Sequence, residues 1–142
     1  IRYSEIEEDA LLETVGETAP SFAHGKRVLI IDCIGILSGL YRYADFAYIG
    51  GGFGAGIHNT LEAAVYGVPL AFGPKYKKFQ EAIDLIDCGG ASSVSNASEL
   101  YQILDNCIKD NELHSLKGRS CRSYVENHLG ATHKIVSVIE GL

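Results

Sequence analysis

The sequence predicts an α/β fold in which a parallel β-sheet carries helices on both faces. Short apolar runs without polar alternation, such as Val28–Ile31 and Val68–Phe72, are typical of buried parallel strands. Segments with apolar residues at helical spacing separate these runs, and the loops between them are short. Regular alternation of strands and helices favours a parallel sheet over separate helical and β regions.

The predicted elements follow one another along the whole chain. The strands are expected at Val28–Ile31, Phe46–Ile49, Val68–Phe72 and Ala91–Val94, after a strand-like start at Ile1–Ser4. The acidic segment Glu5–Ala19 is expected to be a solvated helix or a loop. Helices are expected at Gly35–Tyr43, Ile57–Tyr66, Tyr76–Ile86, from a cap at Asn96 or Ser98 through Cys107, and from Asn111 to Leu142 with a break near Gly130. This alternation is Rossmann-like.

Composition narrows the class of protein. The 142 residues fit one domain, and 46% hydrophobic residues are enough to build a core. A net charge of −6 argues against non-specific nucleic-acid binding, which requires a basic face. The 4 cysteines form no C-x-x-C pair, so we expect reduced thiols in a cytosolic compartment and no zinc site. Because the chain starts at Ile1 and contains no methionine, we expect it to be part of a longer protein.

A glycine-rich turn between a predicted strand and a predicted helix is the most informative segment. In open α/β sheets, ligands bind at the carboxyl ends of the strands, where glycines let the backbone approach the ligand closely. A helix that opens at the same point directs amides and partial positive charge toward an anion. We expect a phosphate to bind here, at Gly50, Gly51, Gly52, Gly54, Gly56 and Ile57.

Polar residues near this turn complete a candidate binding site. Glu62 is placed to pair with the ribose hydroxyls of a nucleotide, or only to complement the helix N-terminus. His58 and Asn59 are expected at the start of the helix, either as ligand contacts or as an exposed residue and an ordinary cap. Lys75 is a candidate cation, together with Lys77 and Lys78, because it follows the turn Gly73-Pro74 at the end of another strand; a solvated helix start is the simpler interpretation.

Two other phosphate-binding motifs do not fit this turn. The strict G-x-G-x-x-G of dinucleotide enzymes fails, since only Gly50, Gly52 and Ala55 match a relaxed form. The acidic residue expected after the next strand is also absent, because that strand ends at Phe72-Gly73-Pro74. A Walker loop is excluded because the sequence has no Gly-Lys-Ser/Thr. A tight turn without a ligand is a poor explanation for 5 glycines within 7 residues.

Taken together, these motifs resemble the 3-deoxy-D-manno-octulosonic acid (Kdo) transferases of lipopolysaccharide synthesis. That family has a strand followed by Gly-Gly, a variable loop, Gly-Gly-His-Asn-x-x-Glu, a helix, Gly-x-Pro and a Gly-Pro turn. The matching residues are Gly50-Gly51, Gly56-Ile57-His58-Asn59-Thr60-Leu61-Glu62, Gly67-Val68-Pro69 and Gly73-Pro74, with looser matches at Asp32–Leu37, Leu40–Asp45 and Phe79–Glu81. The resemblance covers about 28 to 85 well. Three residues depart from the pattern: Ile57 replaces Gly, Ile36 replaces Glu and Cys33 replaces Thr.

The resemblance implies the C-terminal, donor-binding half of a GT-B glycosyltransferase, with 1–142 as a single nucleotide-sugar binding domain. The donor would be CMP-Kdo, bound by the residues of the candidate site, and the acceptor a lipid A precursor held by a separate N-terminal domain. That domain would also hold the catalytic carboxylate and the membrane contact, so no catalytic residue is expected in these 142 residues and they alone are expected to be inactive. Neither a cofactor nor a metal is implied. The expected location is the cytoplasmic face of the bacterial inner membrane.

Two alternatives remain open at the level of sequence. A GT-B domain that binds a UDP-sugar, in a transferase or an epimerase, would place a glycine-rich turn and a glutamate similarly. A non-catalytic nucleotide-binding or protein-interaction domain would also fit, if the natural chain were this short.

Overall fold

The computed structural model describes Arg2 and residues 28–141, and these divide into two compact units, Ile1–Gly39 and Leu40–Leu142. In the first unit, Arg2 and Ile30 form a single parallel bridge. The strand predicted at Val28–Ile31 is therefore wrong as a regular strand, and Val28 and Ile30 are 68% and 51% exposed. A single bridge does not make a regular strand, and a buried strand in a parallel sheet is hydrogen-bonded to a neighbouring strand on each side. The predictions for Tyr3–Ala19 lie outside the described residues.

The second unit contains an open three-stranded parallel sheet, which confirms the predicted α/β class. Its strands are β1 (Ala47–Ile49), β2 (Leu70–Phe72) and β3 (Ala91–Ser93), in the order β1-β2-β3. Ala47 pairs with Leu70, and Leu70 pairs with Ala91. The central strand β2 is buried at all three residues, as its unbroken apolar sequence predicts. On the edge strand β1, Tyr48 is 43% exposed.

Six α-helices occur in the described residues, and several differ in extent from the prediction. They are α1 (Leu37–Leu40, followed by a 3-10 turn at Tyr41–Tyr43), α2 (Leu61–Ala64), α3 (Gln80–Asp87), α4 (Ala97–Lys109), α5 (Asn111–Asn127) and α6 (Ala131–Glu140). Asn96 caps α4 through its side chain, and Gly130 adopts φ +96° between α5 and α6 as the predicted break requires.

The amino ends of α2 and α3 differ most from the prediction. The expected helix at Ile57–Tyr66 begins only at Leu61, and the expected helix at Tyr76–Ile86 begins at Gln80. Phe79 has extended backbone angles of φ −114° and ψ 105°, which no α-helix can continue through. The apolar periodicity was correct for both helices, but the residues in front of each belong to the loops at the edge of the sheet.

The core lies between the sheet and the helices that pack on it. Phe72, Leu70 and Leu85 are its largest fully buried apolar side chains. Helices α2 and α3 each pack against α5, and Cys121 of α5 is wholly buried in the core. The short connections from β1 through α2 to β2, and from β2 through α3 to β3, bring all three strand carboxyl ends to one edge.

Candidate functional site

Two loops meet at this carboxyl edge. The glycine-rich turn follows β1, and Gly73-Pro74 follows β2, its hydrogen-bonded neighbour. A Cβ added to Gly52 would lie 2.5 Å from the Gly73 nitrogen, and one added to Gly73 would lie 2.6 Å from the Gly52 carbonyl carbon. The Lys75 amide donates a hydrogen bond of 3.0 Å to the Gly52 carbonyl. Glycine at both positions therefore lets the two backbones touch.

The glycine-rich turn folds back on itself through its own backbone. The amides of Gly54 and Gly56 donate to the Gly51 carbonyl at 2.8 and 3.3 Å, and the His58 amide donates to the Gly50 carbonyl at 3.1 Å. Gly51 and Gly56 have φ of +87° and +147°, a region that glycine enters without steric cost. Any side chain at Gly51 would collide with the Gly56 carbonyl oxygen. The sequence of glycines is thus required by a specific loop shape.

Two backbone amides of the glycine-rich turn remain available to donate hydrogen bonds to a ligand. Within the described part of the chain, the amides of Phe53 and Ala55 donate to no protein acceptor, and both residues are exposed. Backbone N–H groups that face solvent from a glycine-rich turn form a concave surface suited to an anion. Since α2 has only four residues, its dipole adds little. An anion at this edge would be held mainly by loop amides, whereas the sequence predicted a strong contribution from a helix opening at Ile57.

Asn59 and Glu62 form a hydrogen-bonded pair at the start of α2. The Asn59 side-chain oxygen accepts from the Leu61 amide at 3.0 Å, and its nitrogen donates to Glu62 Oε1 at 3.0 Å. Asn59 therefore serves as a cap, one of its two predicted roles, while it also orients the carboxylate. Glu62 Oε2 has no protein partner within the described residues. Burial, and secondly the Glu62 charge, raise the pKa of the Tyr41 phenol, so Tyr41 lies near this carboxylate.

The remaining predicted site residues differ in exposure, and Ile57 is the one that is buried. His58 is exposed, and its ring lies 3.5 Å from the position of a Cβ added to Gly50. Ile57 is only 5% exposed and packs in the core, so at this position only the backbone faces the loop. Lys75, Lys77 and Lys78 are exposed in the turn after Gly73-Pro74. The structure thus brings both loops to one edge, with the side chain of Ile57 directed elsewhere.

Thr60 belongs to the same motif but had no predicted role. Its side chain is 1% exposed, and Oγ1 has no hydrogen-bond partner within the described residues. An unpaired buried hydroxyl costs about 1–3 kcal/mol, so such groups are uncommon. The sequence carried no signal for this residue, because Thr60 lies inside the helix predicted at Ile57–Tyr66. Here Asn59 caps the helix, because Thr60 already has helical angles of φ −86° and ψ −28°.

Two cavities in this unit lie away from the glycine-rich turn. One, of about 390 Å³, is lined among others by Asp45, Phe46 and Cys107. The other, of about 340 Å³, is lined among others by Tyr66 and Arg122. Both contain residues that precede strands, at the amino edge of the sheet, and neither is lined by the turn. Neither cavity is therefore part of the candidate site, which is built from the two loops at the carboxyl edge.

No group of three or more His, Cys, Asp or Glu residues in the described ranges could hold a metal ion. Across those same ranges, no helix has the length and apolar character needed to cross a bilayer.

Comparisons with known proteins agree with the motifs. No family model matches the chain. The curated relatives include 3-deoxy-D-manno-octulosonic acid transferases from Chlamydia muridarum (31% identity over 101 residues, 70% of this chain and 24% of that protein) and from Chlamydia trachomatis serovar D (33% over 114 residues, 76% and 26%). The transferase from Aquifex aeolicus is 36% identical over 83 residues (57% and 24%). The chain thus spans about a quarter of the length of these relatives.

A solved structure resembles the fold directly. The C-terminal CMP-Kdo binding domain of WaaA from Acinetobacter baumannii aligns with a TM-score of 0.62 and 25% identity over 68% of this chain and 52% of that one. The fold and its glycine-rich edge define an open parallel α/β domain of Rossmann-like type. Within that class, the sequence relatives confirm the resemblance to the Kdo transferases. The solved structure confirms the resemblance to a C-terminal CMP-Kdo binding domain.

Proposed function

We propose that this chain is the donor-binding domain of a GT-B glycosyltransferase that binds CMP-Kdo and transfers Kdo to a lipid A precursor. The observation that carries the proposal is the loop from Gly50 to Glu62, which has the family's motif and lies at the carboxyl edge of the sheet. The fold that presents it resembles a domain described as binding CMP-Kdo. The acceptor site, the catalytic carboxylate and the membrane contact belong to parts of the protein outside 1–142, at the cytoplasmic face of the inner membrane.

The donor's phosphate binds to the glycine-rich turn in this proposal. Phe53 and Ala55 are exposed residues whose amides have no acceptor within the described residues; these amides supply donors, and the compact turn around Gly51 holds them in place. Prearranged backbone dipoles stabilise charge without having to reorganise when CMP departs. Lys75, anchored through its backbone to Gly52, places a cation beside the same surface. Charge on the leaving group is thereby offset by protein groups.

The ribose binds to Glu62. Asn59 occupies Oε1 and fixes the carboxylate, which leaves Oε2 to accept a hydrogen bond from a ribose hydroxyl. A hydrogen bond to a charged group contributes about 1.5–3 kcal/mol, so loss of the charge should weaken nucleotide binding about tenfold or more. His58, which lies over Gly50, is positioned to contact the same ligand.

Calorimetric titration of the chain with CMP and UDP tests the donor. We expect CMP to bind more tightly than UDP, and Glu62→Gln to weaken CMP binding about tenfold. Glutamine still accepts the Asn59 hydrogen bond, so the fold should be preserved. Glu112→Gln is the matched control, because Glu112 also lies in the first turn of a helix, α5, outside the candidate site. A clear preference for UDP, or equal CMP binding by Glu62→Gln and wild type, would contradict the assignment.

Transfer itself is tested in the full-length protein. Glu62→Ala should lower the rate of Kdo transfer from CMP-Kdo to a lipid A precursor, through weaker donor binding. A full-length protein that binds CMP but transfers no sugar would favour the alternative of a non-catalytic nucleotide-binding domain.

A further inference from the structure

A groove with several cationic side chains lies at the amino edge of the sheet. It has a volume of about 340 Å³ and lies between α5 and the turn that leads from α2 to β2. Its lining includes Tyr66 and Gly67 of the turn, and Ser115, Arg119 and Arg122 of α5. Ser115, Arg119 and Arg122 are spaced four and three residues apart, so they share one face of the helix.

Close backbone packing brings these arginines to the groove. Gly118 is buried, and a Cβ there would collide with the Gly67 carbonyl oxygen, so α5 approaches the turn at this glycine. Arg122 Nη2 donates to the Tyr66 carbonyl at 3.2 Å, which anchors the guanidinium at the wall of the groove. Arg42 adds a third cation nearby, with its Cζ 5.7 Å from the centre of the Tyr66 ring.

Within the described residues, no carboxylate forms a salt bridge with any of these three arginines. The salt bridge found in this part of the chain joins Lys109 to Asp105 on α4. Arg119 makes no hydrogen bond there at all. Three arginines concentrated around one turn, in a chain with a net charge of −6, create a local positive potential that attracts anions.

This groove is separate from the proposed donor site. Gly67 precedes β2, whereas Gly73 follows it and packs on the glycine-rich turn. An extended chain rises about 3.3 Å per residue, so the six residues from Gly67 to Gly73, which include the whole of β2, allow a separation of up to about 20 Å. A nucleotide bound at the carboxyl edge would therefore leave the groove unoccupied.

We propose that the groove binds a phosphate group, carried either by a soluble phosphomonoester or by a lipid headgroup. Guanidinium groups present paired N–H donors in a plane that matches two phosphate oxygens, a geometry that lysine lacks. Arg122, held by Tyr66, and Arg119, one turn away, supply such donors, and the Ser115 hydroxyl adds another. The site goes beyond the proposed function, because donor binding and sugar transfer do not require it.

Titration of the isotopically labelled chain with inorganic phosphate, followed by NMR, tests the site. We expect the Gly67 amide and the Arg119 and Arg122 side-chain Nε–H signals to shift with saturation. Arg119→Gln should weaken binding about fivefold, within the range for exposed ion pairs. Arg119 has no contact that folding needs, so this variant keeps the test valid even if Arg122→Gln unfolds. Lys134→Gln, which removes the same charge from the exposed helix α6, is the control.

Sedimentation with vesicles distinguishes the two sources of phosphate. Vesicles of phosphatidylglycerol should bind the chain in an Arg119-dependent manner if a lipid headgroup is the ligand, whereas a soluble ligand predicts phosphate binding without vesicle binding. The proposal is overturned if phosphate leaves the groove signals unmoved, or if Arg119→Gln and Lys134→Gln weaken binding equally. Failure of the donor assignment would instead appear as unchanged glycine-turn signals on addition of CMP, and would not affect this result.

Discussion

Replacement of Gly52 by alanine should separate the two loops of the candidate site. The new Cβ would lie 2.5, 2.6 and 2.9 Å from the N, Cα and C atoms of Gly73. Non-bonded carbon atoms prefer about 3.5 Å or more, so the loops would have to separate by about 1 Å. The obstructing atoms belong to the backbone and cannot rotate away. Overpacking of this kind costs about 1–3 kcal/mol.

Gly54→Ala is the matched control within the same turn. A Cβ on Gly54 would lie 3.5 Å from the Gly51 carbonyl oxygen, an ordinary contact, and Gly54 does not have positive φ. This variant should be neutral or gain about 0.4–1 kcal/mol, because alanine restricts the unfolded chain. The two variants should therefore differ by about 2–3 kcal/mol, or about 5–10 °C in Tm for a domain of this size.

Urea and thermal unfolding, followed by circular dichroism, measure this difference, and CMP titration reports the site. We expect Gly52→Ala to bind CMP more weakly than Gly54→Ala, since the displaced loop includes the proposed phosphate amides. Gly73→Ala should act like Gly52→Ala, because it creates the same clash from the other side. The double variant should cost less than the sum of the two. If Gly52→Ala melts within about 2 °C of Gly54→Ala, the close contact does not exist and the reasoning is wrong.

Two further changes test the packing and capping of the scaffold. Burial raises the pKa of the Cys121 thiol to about 12 from the usual 9.0. The thiol therefore stays protonated to a higher pH in the folded state than in the unfolded state. Its contribution to the free energy of unfolding is complete below pH 9 and is lost as the pH rises toward 12. Between about pH 8 and about pH 10.5, denaturant unfolding should show the wild type losing about 2 kcal/mol more than Cys121→Ala; equal losses would contradict the pKa. Asn96 accepts from the Glu99 amide at 3.0 Å, so Asn96→Ala should cost about 1 kcal/mol in the same assay. Asn106 lies in the same helix, and its side chain has no hydrogen bond to any described residue, so Asn106→Ala should cost nothing measurable. An equal cost for the two variants would contradict the capping role.

Sequence patterns predicted most of the helices and strands because each pattern reflects an interaction between residues close together in the chain. The apolar run of β2 predicted a strand buried on both faces, and the cap at Asn96 predicted the start of α4. The break at Gly130 followed from the conformational freedom of glycine. The prediction of a strand at Val28–Ile31 was wrong because an apolar run does not supply its own neighbouring strands, and among the described residues its one pairing is the bridge to Arg2.

The motif predicted where the glycine-rich turn lies, but not how the turn is built; the binding roles of its residues stay predictions. The motif located the glycine-rich turn and Glu62, because ligand sites in α/β folds lie at the ends of strands. It could not show that α2 would begin four residues late, with Asn59 as its cap and Thr60 buried behind it. Those features depend on how the turn folds back through the Gly51 and Gly50 carbonyls.

The amino-acid sequence alone determined the α/β class, the order of the helices and strands β1 to β3, and the position of the glycine-rich turn, since these depend on hydrophobic period and on residues close together in the chain. The tertiary structure decided which distant glycines touch, as at Gly52 and Gly73, and which arginines meet around Tyr66. Residues 21 or 56 positions apart along the chain come together only through the packing of whole elements, and no local pattern carries that information.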